Sequence, residues 1–570
     1  MMKVQGVLGF MTNSTGSASR AARLLAAAST LVLLSACAVT PEPFTPSDFQ
    51  AAASADRKAM FEGQPALTKP LTLEDALARV LKYNLDKRAK MMEETLALGQ
   101  LDLSRFDLLP KIAANAGYTG RSEANATRSR DYYTQTTSSS SNPTYSADRD
   151  AITADLGLTW NILDFGASYY SAKQNADRAL IAAERRRKAV ANLAQEVRFS
   201  FWRAAAAQAL KDKVVSVITL AENALNDAEK VENERLRNPT ESLRIQKTLL
   251  ESIRQLEAID QELTSAKAEL AALINMAPGS DFRLAVPATT AMPIPEWSAS
   301  LETMEEQALA NNPDVREQDY QGRITADETR KEILKLLPGI NFSLSRQYDH
   351  NSFLMENRWY EAGAKLSWNL LNLLSAPDRL DHADKTEQVA TAKRLALRMA
   401  VLAQVHVVSH QFKSAARQFD RADKLWKIET RLAAASDNQS RGGTANEIER
   451  VTTETSAIAA ELRRYQTYAQ MQSAFGKLQA TIGIDPLPAE VAGHDLDSLS
   501  ESLAAVPAEP AAAPLPAASS EPAELAEPAS TADRLKGLIE SIGEWLSVKP
   551  EPQEQAMRDH IQTLVAESNP

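Results

Sequence analysis

The chain carries one pattern twice. Leu73-Glu74, Asn84 and Asp86 recur as Leu301-Glu302, Asn312 and Asp314, 228 positions on, and the same shift carries Leu108-Leu109-Pro110 onto Leu336-Leu337-Pro338. Further along the shift is 208. Trp160-Asn161-Ile162-Leu163 becomes Trp368-Asn369-Leu370-Leu371, and Ala272-Leu273-Ile274-Asn275 becomes Ala480-Thr481-Ile482-Gly483. The residues absent from the second copy therefore lie between Pro110 and Trp160. A tandem duplication of this length means two like halves that meet through like faces.

Within each half the hydrophobic period changes. Thr72 with Asp75 three residues on forms a capping-box start, and the helix it opens is expected to run towards Pro110, which stops it. Next comes the strand period of two. Ile152, Ala154, Leu156, Leu158 and Trp160 alternate with Thr153, Asp155, Gly157 and Thr159. Ala362, Ala364, Leu366 and Trp368 alternate with Glu361, Gly363, Lys365 and Ser367, while Ile340, Phe342 and Leu344 supply a further strand and Ile112 to Tyr118 a weaker one. Each half thus has two strands, near 112–120 and 151–160, then near 340–348 and 359–368. A polar loop joins each pair, long over 121–150 and short near 349–358. Nine or ten residues with one apolar face suit a tilted strand crossing a bilayer, and equally a strand of a soluble sheet.

The flanking segments favour the bilayer. Residues 168–236 and 379–440 contain no proline, and at 1.5 Å per residue such helices reach about 100 Å, beyond the span of a compact globule. Each is interrupted, at Arg237-Asn238-Pro239-Thr240 and at Arg441-Gly442-Gly443-Thr444, and a returning helix follows. In the first, Leu249, Leu256, Leu263 and Leu270 recur every seven residues beside Ile259, Ala266 and Leu273, a heptad seam that pairs the rods as a coiled coil.

Composition agrees with long helices: 24 % charged, 44 % hydrophobic and only 20 glycines in 570 residues. A net charge of −11 with no basic stripe argues against nucleic acid. No P-loop, Gly-x-Ser-x-Gly or His-Glu zinc motif occurs, so neither enzyme chemistry nor a cofactor is expected. His406 and His410 have helical ligand spacing, but no acidic or cysteine neighbour in sequence, and no metal site is expected.

Arg20 and Arg23 precede an apolar run ending in Leu34-Ser35-Ala36-Cys37, a secretory signal that resembles a bacterial lipobox. Cys37, the sole cysteine, is the expected lipidation site, and Ala38 after it suits delivery to the outer membrane. Residues 41–70 read as an extended arm. From about 500 the chain becomes Ala/Pro/Glu-rich, followed by Leu535, Leu538, Ile539, Ile542, Trp545 and Leu546 on one helix face, which has the body, a partner or a membrane open to it.

Helix, two strands and a long hairpin, repeated behind a lipoprotein signal, resemble the TolC family of outer-membrane efflux proteins. The pieces that carry the resemblance are Leu73-Glu74-x-Ala76, Asn312-Pro313-Asp314, the Leu-Pro pairs at 109–110 and 337–338, and Trp160-x-x-x-Asp164-Phe165-Gly166. The first copy lacks the proline after Asn84, and the second has Asn372-Leu373-Leu374 in place of Asp-Phe-Gly. The resemblance implies a mainly helical fold with membrane β-structure: four strands per chain that trimerise into a 12-stranded outer-membrane β-barrel over a periplasmic α-helical barrel. Open strand edges in lipid would leave backbone groups unpaired, which argues the same way.

The implied division is 1–36 signal peptide, 37–70 lipidated arm, 71–283 first outer-membrane efflux repeat, 284–300 linker, 301–488 second repeat, 489–531 Ala/Pro-rich linker and 532–570 amphipathic helical tail. Thr153, Asp155, Glu361 and Lys365 would line the lumen. Asn238, Pro239, Gly442, Gly443 and Thr444 would form the tips that meet a periplasmic adaptor, itself joined to an inner-membrane pump. Glu241 and Glu449, equivalent in the two copies, would narrow the periplasmic entrance or serve only as helix-start acids favoured by the macrodipole. Two functions stand at this stage. One is a passive exit duct for small molecules or, through type I secretion, protein; the other is a coiled-coil outer-membrane lipoprotein without a pore.

Overall fold

The computed structural model describes residues 42–504, apart from 66, 129, 137–142, 235–237, 278, 287–291, 442–446 and 487–494. Cys37, Gly442, Gly443, Thr444 and the tail over 532–570 lie outside the described residues. The described chain divides into one unit ending at Gln64 and a second beginning at Pro65. The first unit holds α1 (Pro46–Met60). Thr45 Oγ1 accepts from the Asp48 amide and the Asp48 carboxylate accepts from the Thr45 amide, a complete capping box with proline at the first helical position. The expectation of an extended arm over 41–70 fails here, because proline breaks a helix from within but favours one at its first turn.

In the second unit the duplication is explicit. The first half runs α2 (Leu73–Tyr83), α3 (Leu85–Phe106), β1 (Lys111–Gly120), β2 (Asp150–Asn161), α4 (Ile162–Asn233) and α5 (Pro239–Leu273). The second runs α6 (Leu301–Asn311), α7 (Pro313–Leu334), β3 (Gly339–Asp349), β4 (Arg358–Ser367), the single turn α8 (Leu371–Leu374), α9 (Ala376–Arg441) and α10 (Glu447–Thr481), and α11 (Leu496–Ala504) closes the described chain. No helix among the described residues is long and apolar enough to cross a membrane.

Thr72 caps α2 as expected, but the helix does not run unbroken to Pro110. It turns at Asn84, whose backbone is extended (φ −61°, ψ 127°) and whose side-chain oxygen accepts from the Lys87 amide to start α3. Asn84 Nδ2 donates to the Leu273 carbonyl, at the end of α5, at 3.2 Å. Asn312 does the same in the second half: φ −61°, ψ 128°, oxygen towards the Asp314 and Val315 amides, and Nδ2 to the Thr481 carbonyl at 2.8 Å. Each asparagine therefore satisfies one helix start and one helix end, groups that would otherwise be orphaned. Just beyond those ends Asn275 and Gly483 both have positive φ (56° and 78°), the left-handed conformation that ends many helices.

The rods are as long as their lack of proline implies. The 72 residues of α4 span about 110 Å and the 66 of α9 about 100 Å. The heptad seam is buried: Leu249, Leu256, Leu263 and Leu270 are at most 2 % exposed. In the second hairpin aromatic residues do this work, Phe412 against Phe475 and Phe419 against Tyr468, with ring centroids 5.5 and 4.8 Å apart. α4 packs against α3, α5, α7 and α10, whereas α9 packs against α6, α7 and α10. The helical layer thus has α4 inside it, α9 along one edge, and α3 and α5 along the other.

α11 falls within the segment read as linker over 489–531. Asp495 caps it by accepting from the Ser498 amide, and Ser500 donates to Asp75 at 2.7 Å, setting α11 against α2. Leu496, Leu499 and Leu503 share a face, and Leu503 reaches the main core. Helical periodicity persists here until the prolines begin at Pro507, which is why low-complexity composition misplaced the boundary.

Candidate functional site

The four strands form one antiparallel sheet in the order β1-β2-β3-β4, so β1 and β4 are open edges. Directly paired residues share a face. By register, Asn115, Asp155, Gln347 and Trp359 form one row, with Gly117, Thr153 and Asp349 beside it. Ala113, Gly157, Ser345 and Glu361 follow on the other side, then Lys111, Thr159, Ser343 and Gly363, and last Asn161, Asn341 and Lys365. Thr153, Asp155, Glu361 and Lys365 therefore lie on one face, and that face is polar almost throughout. Asn115 Nδ2 donates to Asp155 Oδ2 at 3.0 Å across it.

The opposite face is apolar apart from Asp150, Arg346 and Arg358. Ile112, Leu158, Leu344 and Ala362 form its middle row, and Trp160, Phe342 and Ala364 the next. Aromatic residues bracket it at both ends, Tyr118, Tyr348 and Tyr360 towards the loops and Trp160, Phe342 and Trp368 towards the helices. The sheet thus has one polar and one largely apolar side, with aromatics towards both ends of the latter.

At the far ends of the rods sit the hairpin tips. Asn238 caps α5 by accepting from the Thr240 amide at 2.9 Å, and Pro239 takes the first helical position. Glu241 and Glu449 are each the third residue of a returning helix, both exposed in the first turn. This equivalence is what the repeat implies, and it serves the macrodipole whatever else the residues do. Sequence comparison of the copies missed Glu447. It lines a hollow of about 150 Å³ between the two hairpins, with Asp227, Ser242 and Ile245, and Glu449 does not. Its counterpart in the first copy is Pro239, so a search for acids common to both halves passes over it. The one signal available was its place in the first turn of α10.

Between tips and sheet lies a buried ion network that sequence reasoning also missed. Arg464 of α10, 2 % exposed, donates from Nε to Asp423 at 2.6 Å and stacks 4.1 Å from the Trp426 ring centre. Burial pushes the Asp423 carboxyl up, but hydrogen bonds from Lys427 and Arg464 outweigh it and hold the group below the usual carboxylate range. His406 does acquire an acidic neighbour, Glu305 of α6, at 2.6 Å. Among the described residues no three His, Cys, Asp or Glu come together as a metal cluster.

Solved structures share this arrangement. The Neisseria gonorrhoeae MtrE outer membrane channel, in its open state, is 16 % identical and matches 72 % of this chain and 89 % of its own with a TM-score of 0.54. The Campylobacter jejuni CmeC outer membrane channel is 10 % identical, over 78 % of this chain and 93 % of its own, TM-score 0.56. CusC, whose structures concern folding and transmembrane channel formation, is 13 % identical over 74 % and 96 %, TM-score 0.55. The fold is that of a TolC-like outer-membrane channel. No protein-family model and no curated protein sequence matches the chain. A TolC-like fold at so little identity is carried by helix lengths, elbows and strand register more than by shared side chains.

Proposed function

We propose that three copies of this chain form a passive exit duct, a 12-stranded barrel through the outer membrane continued by a helical tube across the periplasm. The sheet carries the reading: one polar face, one apolar face, and two unpaired edges that only further copies can pair without leaving backbone groups bare in lipid. Thr153, Asp155, Glu361 and Lys365 then line the water-filled lumen. The helical edges agree, since α9 on one side and α3 and α5 on the other present apolar side chains for a head-to-tail contact that closes as a ring.

In this reading an inner-membrane pump supplies the energy and reaches the duct through a periplasmic adaptor at the tips, around Asn238, Pro239, Gly442, Gly443 and Thr444, and the cargo is small molecules. Acylation at Cys37 adds an anchor, weak beside a closed barrel. Purified protein should run as three copies by native mass spectrometry and give discrete single-channel conductance in planar bilayers. A correctly inserted trimer without conductance would instead make the chain a structural lipoprotein. Mass spectrometry of the mature protein should find Cys37 acylated, and Cys37→Ser should leave conductance intact.

A further inference from the structure

Two arginines stand on the apolar face of the sheet. Arg346 pairs with Tyr360 and Arg358 with Tyr348, each guanidinium 5.7 Å from the ring centre of its partner. The cross-strand register makes the arginines diagonal neighbours, about 7–8 Å apart at the backbone. Both are exposed, and among the described residues neither has a carboxylate partner. The acid of the same face, Asp150, lies nearer the loops and accepts from Tyr118 at 2.9 Å.

Beside the arginines the sheet is hollowed. Ala114, Leu156 and Arg346 form one row, and Ala116, Ala154, Tyr348 and Arg358 the next; together they wall a space of about 530 Å³. Asn115, Asp155 and Gln347 of the row between also border it, through their backbone, since their side chains leave on the polar face. Three alanines make the floor low, and two cations with Tyr348 form one side.

We infer that this hollow binds the phosphorylated headgroup of a glycolipid in the outer-facing leaflet, with Arg346 and Arg358 on the phosphate and the acyl chains against Ala114, Ala116 and Leu156. The inference rests on the barrel reading, which turns this face to lipid and its loop end outward. Unpaired charge on a lipid-facing surface is costly, and long arginine side chains reach towards the interface to find an anionic partner. Bidentate geometry suits phosphate, and tyrosines flanking the guanidiniums hold them in place.

The test uses the full chain in nanodiscs containing a bisphosphorylated glycolipid or its dephosphorylated form, with bound lipid counted by native mass spectrometry. Wild type should retain the phosphorylated lipid at least tenfold better, and Arg346→Gln with Arg358→Gln should abolish that preference. Lys365→Gln, on the polar face, should keep it. Equal retention of both lipids by wild type, or undiminished preference in the double variant, overturns the lipid site while leaving the barrel standing. Failure of wild type to enter the discs as a trimer overturns the barrel reading and this site with it.

Discussion

α4 and α9 are the same element in the two halves, nearly equal in length, and their surroundings differ. α4 lies inside the helical layer and buries side chains on several sides, among them Val197, Phe201, Leu210 and Val214. α9 buries one stripe, Val401, Val405, Val408, Phe412 and Phe419, and leaves another in solvent: Leu425 49 %, Ile428 53 % and Leu432 51 % exposed. Duplication made the halves alike in sequence, and position made one rod a core and the other a seam. A helix with two apolar stripes, only one of them covered by its neighbours, offers the other as half of an interface.

The sharpest way to break this contrast is to charge the open stripe. Leu425→Glu with Ile428→Glu should leave the single chain folded by circular dichroism yet abolish the trimer in analytical ultracentrifugation. A trimer that survives would return α9 to the status of an ordinary solvated helix. A second comparison weighs the two settings directly. Leu256→Ala, in the buried seam of α5, should lower stability by about 2–5 kcal/mol. Leu432→Ala should cost the isolated chain under about 0.5 kcal/mol and register only in the assembled state, as a loss of trimer on dilution.

Within the second hairpin, Asp423→Asn should destabilise by about 3 kcal/mol by removing the carboxylate that accepts from buried Arg464 Nε. Because the Asp423 carboxyl is held low, its contribution is full at neutral pH and above about pH 4, its unfolded range, and disappears as pH falls through the folded value. The melting temperatures of wild type and variant should therefore differ at pH 7 and converge under acid. The smallest effect belongs to the tips. Glu241→Gln with Glu449→Gln should reduce cation preference and weaken block by multivalent cations added at the periplasmic side. Adding Glu447→Gln should deepen the change if the hollow between hairpins belongs to the entrance. Unchanged selectivity in both variants would make these acids helix-start residues.

Much of this architecture was legible in the sequence. Period two located all four strands to within about a residue, and freedom from proline revealed both rods. Both signals are local and repeat over many residues. What was lost depends on single residues or distant partners. Asn84 and Asn312 were seen as repeat markers but not as elbows, since an asparagine mid-pattern looks neutral until its far acceptor, Leu273 or Thr481, is in place. Arg464 and Asp423 are 41 positions apart on different helices, and neither stands out alone. α1 and α11 were obscured by neighbouring proline and alanine, where composition spoke louder than caps. Alternation within each strand already separates the polar from the apolar face; the register that sets Arg346 and Arg358 diagonally beside each other is a property of pairing and has no trace in one strand.

The elbows also bear on the order in which this chain becomes itself. Asn84 closes a contact over 189 positions and Asn312 one over 169, each within its own copy. Leu71 adds a second clasp to the first, donating to the Arg283 carbonyl and accepting from the Ala285 amide, both at 2.8 Å. A chain that emerges amino end first can therefore fasten its first half before the second has arrived. Non-local closure is the slow part of folding. Splitting one closure of the whole length into two of half length lets the earlier copy stand as a template against which the later one folds.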